Sequence, residues 1–245
     1  MSDAELERIR AEYRARDERG GQPYRWDNPG YVCYMQNVER AILWGLADAG
    51  IALHGARVLD VGCGSGYFLH RLHEYGAGEC HGIDLMENRV EEGRTRYPTL
   101  KLHVGSATEL PFADGEFDLV TQFTCLSSIL DPEVRLEAAK EMKRVAAGGS
   151  VLSFDMRGMR PPALRKPKPS AGTPTVGLDS RELQRLFGEP VLLRREALVF
   201  DFVQVTGRHA LLAGLLAVVR PLRSHLLGLW HFPEAEAERQ GDSFG

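Results

Sequence analysis

The strongest chemical signal in the sequence is an acidic residue followed by three glycines at alternate positions. Asp60 lies in the apolar run that begins at Val58, and Gly62, Gly64 and Gly66 follow it. Glycines let the chain between a strand and a helix adopt positive φ and let a ligand approach the backbone. The first turn of the next helix then presents free N–H groups. This pattern predicts a nucleotide-type ligand at the carboxyl end of a strand.

The spacing of the glycines and the charge of Asp60 disfavour a dinucleotide. The usual pyrophosphate loop is G-x-G-x-x-G, whereas the loop here is G-x-G-x-G. A carboxylate in the position of Asp60 would repel a pyrophosphate and suits a ligand that has an ammonium group and no phosphate. The methionine end of S-adenosylmethionine fits that description. Asp84 ends the next apolar run, where a carboxylate can bind the two hydroxyls of a ribose.

The elements that must position these residues alternate between short apolar runs and amphipathic segments. Strands are predicted at 57–61, 80–84, 101–104, 117–123 and 150–155, and helices at about 65–75, 86–96 and 131–146. The helix at 131 has Asp131 as its predicted N-cap and Pro132 at its first position. This alternation predicts a parallel sheet covered by helices on both faces. Outside this core we expect helices at 2–19, 31–49, 179–188 and 208–220, and strands at 190–204 and 225–232.

Residues 56–156 resemble the class I S-adenosylmethionine-dependent methyltransferase family. The resemblance rests on the glycine loop, the acid at Asp84 and three further segments in the same order: Val104–Phe112, Phe117–Val120 and Glu141–Val145 with Gly148 and Gly149. It implies an α/β, Rossmann-like fold with a seven-stranded, mostly parallel sheet, helices on both faces and an antiparallel last strand. We expect residues 1–50 to form an N-terminal helical cap, 51–233 the methyltransferase domain and 234–245 a polar tail.

The resemblance also implies a cofactor-binding set. The residues expected to contact S-adenosylmethionine, or the product S-adenosylhomocysteine, are Tyr34, Arg40, Asp60, Gly62, Cys63, Gly64, Gly66, Asp84, Leu85, Ser106, Ala107, Gln122 and Phe123. Ser106 stands where the family usually has an acid, so a hydroxyl or the backbone would have to serve the adenine amine. No metal is expected, because the four cysteines are far apart and have no histidine at metal-ligand spacing.

Aromatic and basic residues near this core allow two interpretations each. Tyr24, Trp26, Tyr31 and Tyr34 either stabilise a sulfonium by cation–π contact or simply pack a helix on the sheet. The basic segment 157–168 is either a solvated loop or a grip for an acidic substrate.

The chemistry expected is an in-line attack by a substrate N, O or C atom on the methyl of a sulfonium, which depends mainly on alignment. If a base is needed, Asp155 and His231 are the candidates. We expect N- or O-methylation of a small metabolite, such as a sugar or natural-product intermediate. Adenine-N6 enzymes have an Asn/Asp-Pro-Pro-aromatic run where this chain has Gln122–Cys125, and the net charge of −4 does not favour nucleic acid. Alternatives are a macromolecule-directed methyltransferase, a nicotinamide oxidoreductase and a non-catalytic cofactor-binding partner.

Location and assembly are predicted from the same sequence. The charged start cannot be a secretory signal, and the most apolar stretch, 210–219, is about half the roughly 20 residues that a membrane span needs. We expect a cytoplasmic monomer or homodimer that binds neither a membrane nor a nucleic acid.

Overall fold

The computed structural model describes residues 3–18, 27–158, 168–170, 173–196 and 225–233. The predicted helix at 208–220, most of the basic segment 157–168, the residues Tyr24 and Trp26, and the tail beyond 233 lie outside the described residues.

The core of the fold is a seven-stranded sheet. In chain order its strands are β1 (Val58–Val61), β2 (Cys80–Asp84), β3 (Lys101–Val104), β4 (Leu119–Phe123), β5 (Ser150–Met156), β8 (Leu192–Glu196) and β9 (His225–His231). They are arranged in the order β3-β2-β1-β4-β5-β9-β8. Strands β1 to β5 pair in parallel, and β9 runs antiparallel to both β5 and β8. This confirms the predicted fold class, including the antiparallel last strand.

Helices cover both faces of this sheet. They are α1 (Asp3–Glu18), α2 (Pro29–Asp48), α3 (Tyr67–Glu74), α4 (Glu87–Arg96), α5 (Pro132–Val145) and α6 (Ser180–Phe187), with a 3-10 turn at Leu126–Ser128. The predicted start of α5 is confirmed, since the Asp131 side chain accepts hydrogen bonds from Glu133 N and Val134 N and Pro132 is the first helical residue. Within the described ranges, no helix combines the length and the apolar character needed to cross a bilayer.

Consecutive residues along a strand point to opposite faces of the sheet, and their side chains are buried in two separate cores. Val58 and Leu119 pack with α2, α3 and α4 on one face, whereas Leu59 and Val120 pack with α5 and α6 on the other. Because both faces are buried, the strands read as continuous apolar runs in the sequence, as parallel strands usually do.

One element was not predicted. Residues 168–175 contain a two-stranded antiparallel ribbon, β6 (Lys168–Ser170) and β7 (Thr173–Thr175). The prolines of this segment suggested irregular structure, but prolines are tolerated in a ribbon whose strands are both edges. Val176 N donates to Ser127 O at 2.9 Å, so the chain after the ribbon is tied to the turn that follows β4.

The order of the strands determines where a ligand can bind. From β1 the chain builds outward through β2 and β3, and then returns to place β4 and β5 on the other side of β1. The connections after β1 and β4 therefore leave the sheet in opposite directions, which opens a crevice at their carboxyl ends.

Candidate functional site

A pocket of about 280 Å³ lies at the carboxyl ends of β1, β2 and β4. Nine residues predicted from the sequence line it: Asp60, Gly62, Cys63, Gly64, Asp84, Leu85, Ser106, Ala107 and Phe123. They come from β1, β2 and β4 and from the segments that follow β1, β2 and β3, so the fold brings together residues that are spread over 64 positions of the chain.

The glycine loop forms the floor of this pocket in the conformation that its sequence requires. Gly62, Gly64 and Gly66 have φ of 76°, 56° and 84°, in the region that side chains other than glycine rarely adopt. Gly62 N and Cys63 N donate to Ile83 O at 2.8 and 3.1 Å, which fixes the loop to β2. A Cβ at Gly62 would lie 2.7 Å from Cys125 Sγ, so the loop also packs directly against the chain after β4.

Asp84 ends β2 and is held by two backbone donors. Its Oδ2 accepts from Gly64 N at 2.8 Å, and its Oδ1 accepts from Met86 N at 2.9 Å. Burial raises the pKa of this carboxyl, while the two hydrogen bonds oppose the rise. Each carboxylate oxygen can accept a second hydrogen bond, so an ionised Asp84 has one acceptor position left on each oxygen for a pair of hydroxyl donors.

Asp60 lies deeper, with only 2% of its surface exposed. Thr121 Oγ1, on the adjacent strand β4, bonds its Oδ1 at 2.9 Å. Burial, with a further contribution from Asp84, raises the pKa of Asp60 to about 8 although the Thr121 hydroxyl opposes the shift. No cation among the described residues pairs with Asp60. The pocket therefore has a buried carboxyl group with no positive partner among the described residues, beside which a ligand cation could bind.

Helix α1 covers the pocket and is attached on both sides of it. Leu6, Ile9, Tyr13 and Arg16 form the face that lines the pocket. Glu5 Oε1 accepts from Leu130 N at 2.7 Å, and Arg8 donates to Ser128 O at 2.8 Å, both in the connection after β4. At the other end Asp17 accepts from Arg89 of α4 at 2.7 Å.

Comparison with known proteins shows which proteins this arrangement is similar to. Residues 58–149 match the profile of the family described as a methyltransferase domain, a span that contains the glycine loop, Asp84 and the connection after β4. The same fold recurs in solved structures of S-adenosylmethionine-dependent methyltransferases. Residues 58–149 are thus similar to a methyltransferase domain, and the chain shares the fold of S-adenosylmethionine-dependent methyltransferases.

Two curated relatives and one solved structure show how far the similarity extends. The chain is 36% identical over 116 residues to norajmaline N-methyltransferase from Rauvolfia serpentina, a match that covers 43% of this chain and 38% of that protein. It is 38% identical over 112 residues to demethylmenaquinone methyltransferase from Staphylococcus aureus, covering 44% of this chain and 45% of the relative. The chain thus matches less than half the length of these relatives.

The fold of the methyltransferase domain also occurs in the (4+2)-cyclase SpnF. The two structures superpose with a TM-score of 0.62 at 18% identity, over 86% of this chain and 87% of the cyclase. A likeness at this identity shows a shared fold, and a shared fold does not determine the reaction.

Ser106 and Ala107 lie at the far side of the pocket, in the segment that follows β3. Ser106 Oγ lies 2.9 Å from Thr108 Oγ1 and accepts from Thr108 N at 3.2 Å. The serine hydroxyl thus stabilises its own turn. In the position where the family usually has an acid, this methyltransferase domain has a compact turn beside the apolar side chains of Leu85 and Ala107.

Six predicted site residues do not line the pocket, and each has a structural reason. Two of them belong to α2. Arg40 is exposed, donates to Asn37 Oδ1 at 2.7 Å and lies over the ring of Trp44, so the structure does not bring this predicted cofactor contact to the pocket. Tyr34 contacts Tyr31 and His225, with ring centroids 6.4 and 6.1 Å away, and it is Tyr31 that lines the pocket.

Gln122 and Asp155 lie under the pocket in a buried network. Gln122 Oε1 accepts from Cys125 N at 2.9 Å and from Leu126 N at 3.2 Å, and its Nε2 donates to Asp155 Oδ2 at 3.2 Å. Asp155 Oδ2 also accepts from Ser127 N at 3.1 Å. Both side chains are fully buried and hold the connection after β4. The structure does not bring these two predicted residues, the one as a cofactor contact and the other as a base, to the surface of the pocket.

The turn that Gln122 and Asp155 hold contains a strained residue. Thr124 has φ of 59°, a conformation that is rare for a β-branched side chain. Its carbonyl accepts from the hydroxyls of Ser127 and Ser128 at 3.2 and 3.1 Å. Thr124 and Cys125 line the pocket, so the buried network fixes backbone that faces the ligand.

His231 and Gly66 are the last two predicted residues that do not line the pocket. His231 pairs with Ser150 at the start of β5, because β9 is antiparallel, and therefore lies at the end of the sheet opposite the pocket. The structure therefore does not bring His231, the second predicted base, to the pocket. Gly66 is the N-cap of α3, and a Cβ there would meet Leu100 Cδ1 at 3.1 Å, so this glycine packs the helix on the sheet.

Sequence reasoning missed Tyr13, Ser128, Arg16 and Arg89 as pocket residues. A signal for Tyr13 was present, because Leu6, Ile9 and Tyr13 form the apolar stripe of the first helix. Nothing in the sequence indicated which surface that stripe covers. Among the residues that the structure describes, no group of three or more His, Cys, Asp or Glu side chains is arranged to hold a metal ion.

Proposed function

We propose that this protein transfers the methyl group of S-adenosylmethionine to a nitrogen or oxygen atom of a small metabolite. The observation that carries the proposal is the placement of Asp60 and Asp84 in one pocket, on either side of a glycine loop whose backbone lines it. A buried carboxylate without a cation, a second carboxylate with spare acceptor positions and an open backbone suit an ammonium group, a ribose and the chain between them.

The described residues fit the cofactor part by part. Asp60 would bind the ammonium group, and Asp84 would accept hydrogen bonds from the ribose hydroxyls. Leu85 and Ala107 supply an apolar surface for the adenine ring. The cofactor supplies an activated methyl group on a sulfonium, so the protein has mainly to align the acceptor and to exclude water. Helix α1 is placed to exclude water, since its inner face forms the roof of the pocket.

The described residues that line the pocket limit which acid–base groups can assist the methyl acceptor. It contains no histidine, and its acidic residues, Asp60 and Asp84, are assigned to the cofactor. An amine, or an oxygen that ionises readily, needs little help from a base, and we propose an acceptor of this kind. The name of norajmaline N-methyltransferase, which indicates transfer to nitrogen of a small molecule, supports this choice for the shared domain.

The domain boundaries, a cytoplasmic location, a monomer or homodimer and the absence of a nucleic-acid partner remain parts of this proposal. A macromolecular acceptor stays the alternative within the same reaction class.

Two measurements test the proposed function. Titration calorimetry should show binding of S-adenosylhomocysteine and no binding of NAD(H); the reverse result would indicate a nicotinamide oxidoreductase. Radiolabelled methyl transfer from S-adenosylmethionine should then label a compound in a panel of small amines and phenols. Cofactor binding without labelling across panels of small and macromolecular acceptors would point to a non-catalytic cofactor-binding partner instead.

A further inference from the structure

The hydrogen bonds of Asp60 can serve two protonation states without any movement of the backbone. Thr121 Oγ1 lies 2.9 Å from Asp60 Oδ1 and 3.4 Å from Leu59 O. A hydroxyl has one proton to donate and can also accept. If Asp60 is protonated, it donates to Thr121, which in turn donates to Leu59 O. If Asp60 is ionised, the Thr121 hydroxyl turns and donates to the carboxylate.

The surroundings of Asp60 favour the protonated state while the pocket holds no cation. The carboxyl is 2% exposed, and within the described part of the chain Thr121 is its single hydrogen-bond donor. A buried carboxylate with one donor and no opposite charge is costly, and the usual response of such a group is to take up a proton. Burial accordingly raises the pKa of Asp60 to about 8.

The acidic and thiol groups around Asp60 do not offset this tendency. Asp84 of β2 faces it across the glycine loop and raises its pKa further. Cys63 of the glycine loop and Cys125 of the connection after β4 remain neutral thiols, because burial raises the pKa of both. None of these groups supplies a positive charge.

The cations and phenols of the pocket come from the helices. Arg16 lies on α1, and Arg89 on α4 is paired with Asp17 at 2.7 Å. Neither contributes to the shift at Asp60. The phenols of Tyr13, Tyr31 and Tyr67 belong to α1, α2 and α3, and a phenol is neutral below about pH 9. Since none of the described residues places a positive charge beside Asp60, we expect a ligand to supply it.

We propose that Asp60 is protonated in the free protein and releases its proton to solvent when an ammonium group binds beside it, with Thr121 as the positioning residue that serves both states. The O–H bond of Asp60 breaks, the proton passes to water or buffer, and the Thr121 hydroxyl turns from Leu59 O to the new carboxylate. This inference rests on the proposed function, since it takes the ammonium group to be that of S-adenosylmethionine or its product.

Two ligands separate the ammonium site from the ribose site. S-Adenosylhomocysteine carries an ammonium group, whereas 5′-methylthioadenosine has the same nucleoside and no amino acid part. Calorimetry in buffers of different ionisation enthalpy measures the protons released on binding. At pH 7 we expect about one proton for S-adenosylhomocysteine and close to none for methylthioadenosine. Between pH 6 and 7 the affinity for S-adenosylhomocysteine should rise about tenfold, while that for methylthioadenosine stays flat.

Variants of Thr121 distinguish a role in positioning the Asp60 proton from a merely structural role. In Thr121→Val the carboxylate loses its donor, so Asp60 should hold its proton to higher pH. At pH 8 the unmodified protein should release about half a proton and Thr121→Val close to one. Thr121→Ser keeps the hydroxyl and should behave like the unmodified protein. Asp60→Asn should release no proton at pH 7 and bind with an affinity that does not change between pH 6 and 7.

The outcomes are distinct. Binding of S-adenosylhomocysteine by the unmodified protein at pH 7 without proton release would overturn the inference and leave the proposed function standing, and this measurement needs no variant to fold. Equal release in Asp60→Asn, or the same pH profile in Thr121→Val and Thr121→Ser, would also overturn it. If neither ligand binds at any pH, the proposed function itself fails and the inference falls with it.

Discussion

The hydroxyl of Tyr13 lies 3.0 Å from Ser128 Oγ, a contact between residues 115 positions apart. Tyr13 belongs to the first helix, and Ser128 to the 3-10 turn that follows β4. The guanidinium of Arg89, on α4, lies 4.6 Å from the centre of the Tyr13 ring. One side chain thus joins three elements that surround the pocket, which makes Tyr13 the central contact between the roof and the walls.

We predict that Tyr13→Phe weakens binding of S-adenosylhomocysteine about fivefold, because a net hydrogen bond contributes about 1 kcal/mol to the closed roof. The ring and its contact with Arg89 remain, so the change removes only the link to Ser128. Since a looser roof should release the ligand sooner, the dissociation rate measured by stopped-flow fluorescence should rise by a similar factor.

Tyr97→Phe is the matched control. Tyr97 packs in the core beside His70, away from the pocket, and loss of its hydroxyl should leave the affinity unchanged. Equal weakening in both variants would mean that the effect comes from general destabilisation and not from the roof.

A second prediction concerns Asp84. Asp84→Ala removes the acceptors of Gly64 N and Met86 N as well as the proposed ribose contact. We expect the affinity for S-adenosylhomocysteine, measured by calorimetry, to fall by well over tenfold, or at least about 1.4 kcal/mol.

Asp118→Ala provides the comparison for Asp84→Ala. Asp118 also binds a backbone N–H, that of Arg57 at 2.8 Å, but at the opposite end of the sheet. Its removal should lower the midpoint of thermal unfolding without changing ligand affinity. A folded Asp84→Ala protein with unchanged affinity would show that the ribose binds elsewhere.

The features that the sequence predicted are those encoded by neighbouring residues. The three glycines specify the positive φ of their own loop, and Asp131 and Pro132 specify the start of α5 through contacts within three residues. The parallel pairing of β1 to β5 followed from the alternation of strands and helices, because such connections favour parallel neighbours in one sheet. Asp60 and Asp84 could be placed at strand ends for the same reason.

The features that the sequence did not predict depend on distant pairing. The position of His231 follows from the antiparallel register of β9 against β5, which puts it beside Ser150 and not beside Asp155. Gln122 lies next to the last residue of β4, in a position that suits a ligand contact, yet its side chain turns under the chain and accepts a hydrogen bond from Cys125 N. Either outcome is compatible with the local sequence, and only the packed structure distinguishes them.

The third prediction separates two destabilising effects of adding a side chain at a glycine, which are backbone strain and steric overlap with a neighbour. Gly62 and Gly55 have almost the same φ, 76° and 75°, but a Cβ at Gly62 would lie 2.7 Å from Cys125 Sγ, whereas nothing lies within 4 Å of one at Gly55. Gly55→Ala should therefore cost only the backbone strain, about 1 kcal/mol of unfolding free energy. Gly62→Ala should cost about 1–3 kcal/mol more, because the overpacked side chain must displace its neighbour.

Urea denaturation of Gly62→Ala, Gly55→Ala and the double variant Gly62→Ala with Cys125→Gly measures these costs. The double variant removes the clashing thiol and should recover part of the loss. If the two single variants are equally stable, the close approach of the glycine loop to Cys125 has no energetic effect.

The last prediction concerns the pH dependence of stability that Asp155 imposes. Burial raises the pKa of Asp155 to about 6 in the folded protein, against the usual 3.8. The folded state therefore binds a proton more tightly than the unfolded chain, and the contribution of Asp155 to stability falls as the pH rises from about 4 to about 6. Above this range the ionised carboxylate costs about 3 kcal/mol. Asp155→Asn cannot ionise, so its stability relative to the unmodified protein should improve by about 2 kcal/mol between pH 4.5 and 7.5. Thermal unfolding of both proteins at the two pH values measures the difference, in which the titration of all other groups cancels.

A difference that does not change with pH would mean that the hydrogen bonds from Ser127 N, Gln122 and Met156 N stabilise the carboxylate enough to offset its burial.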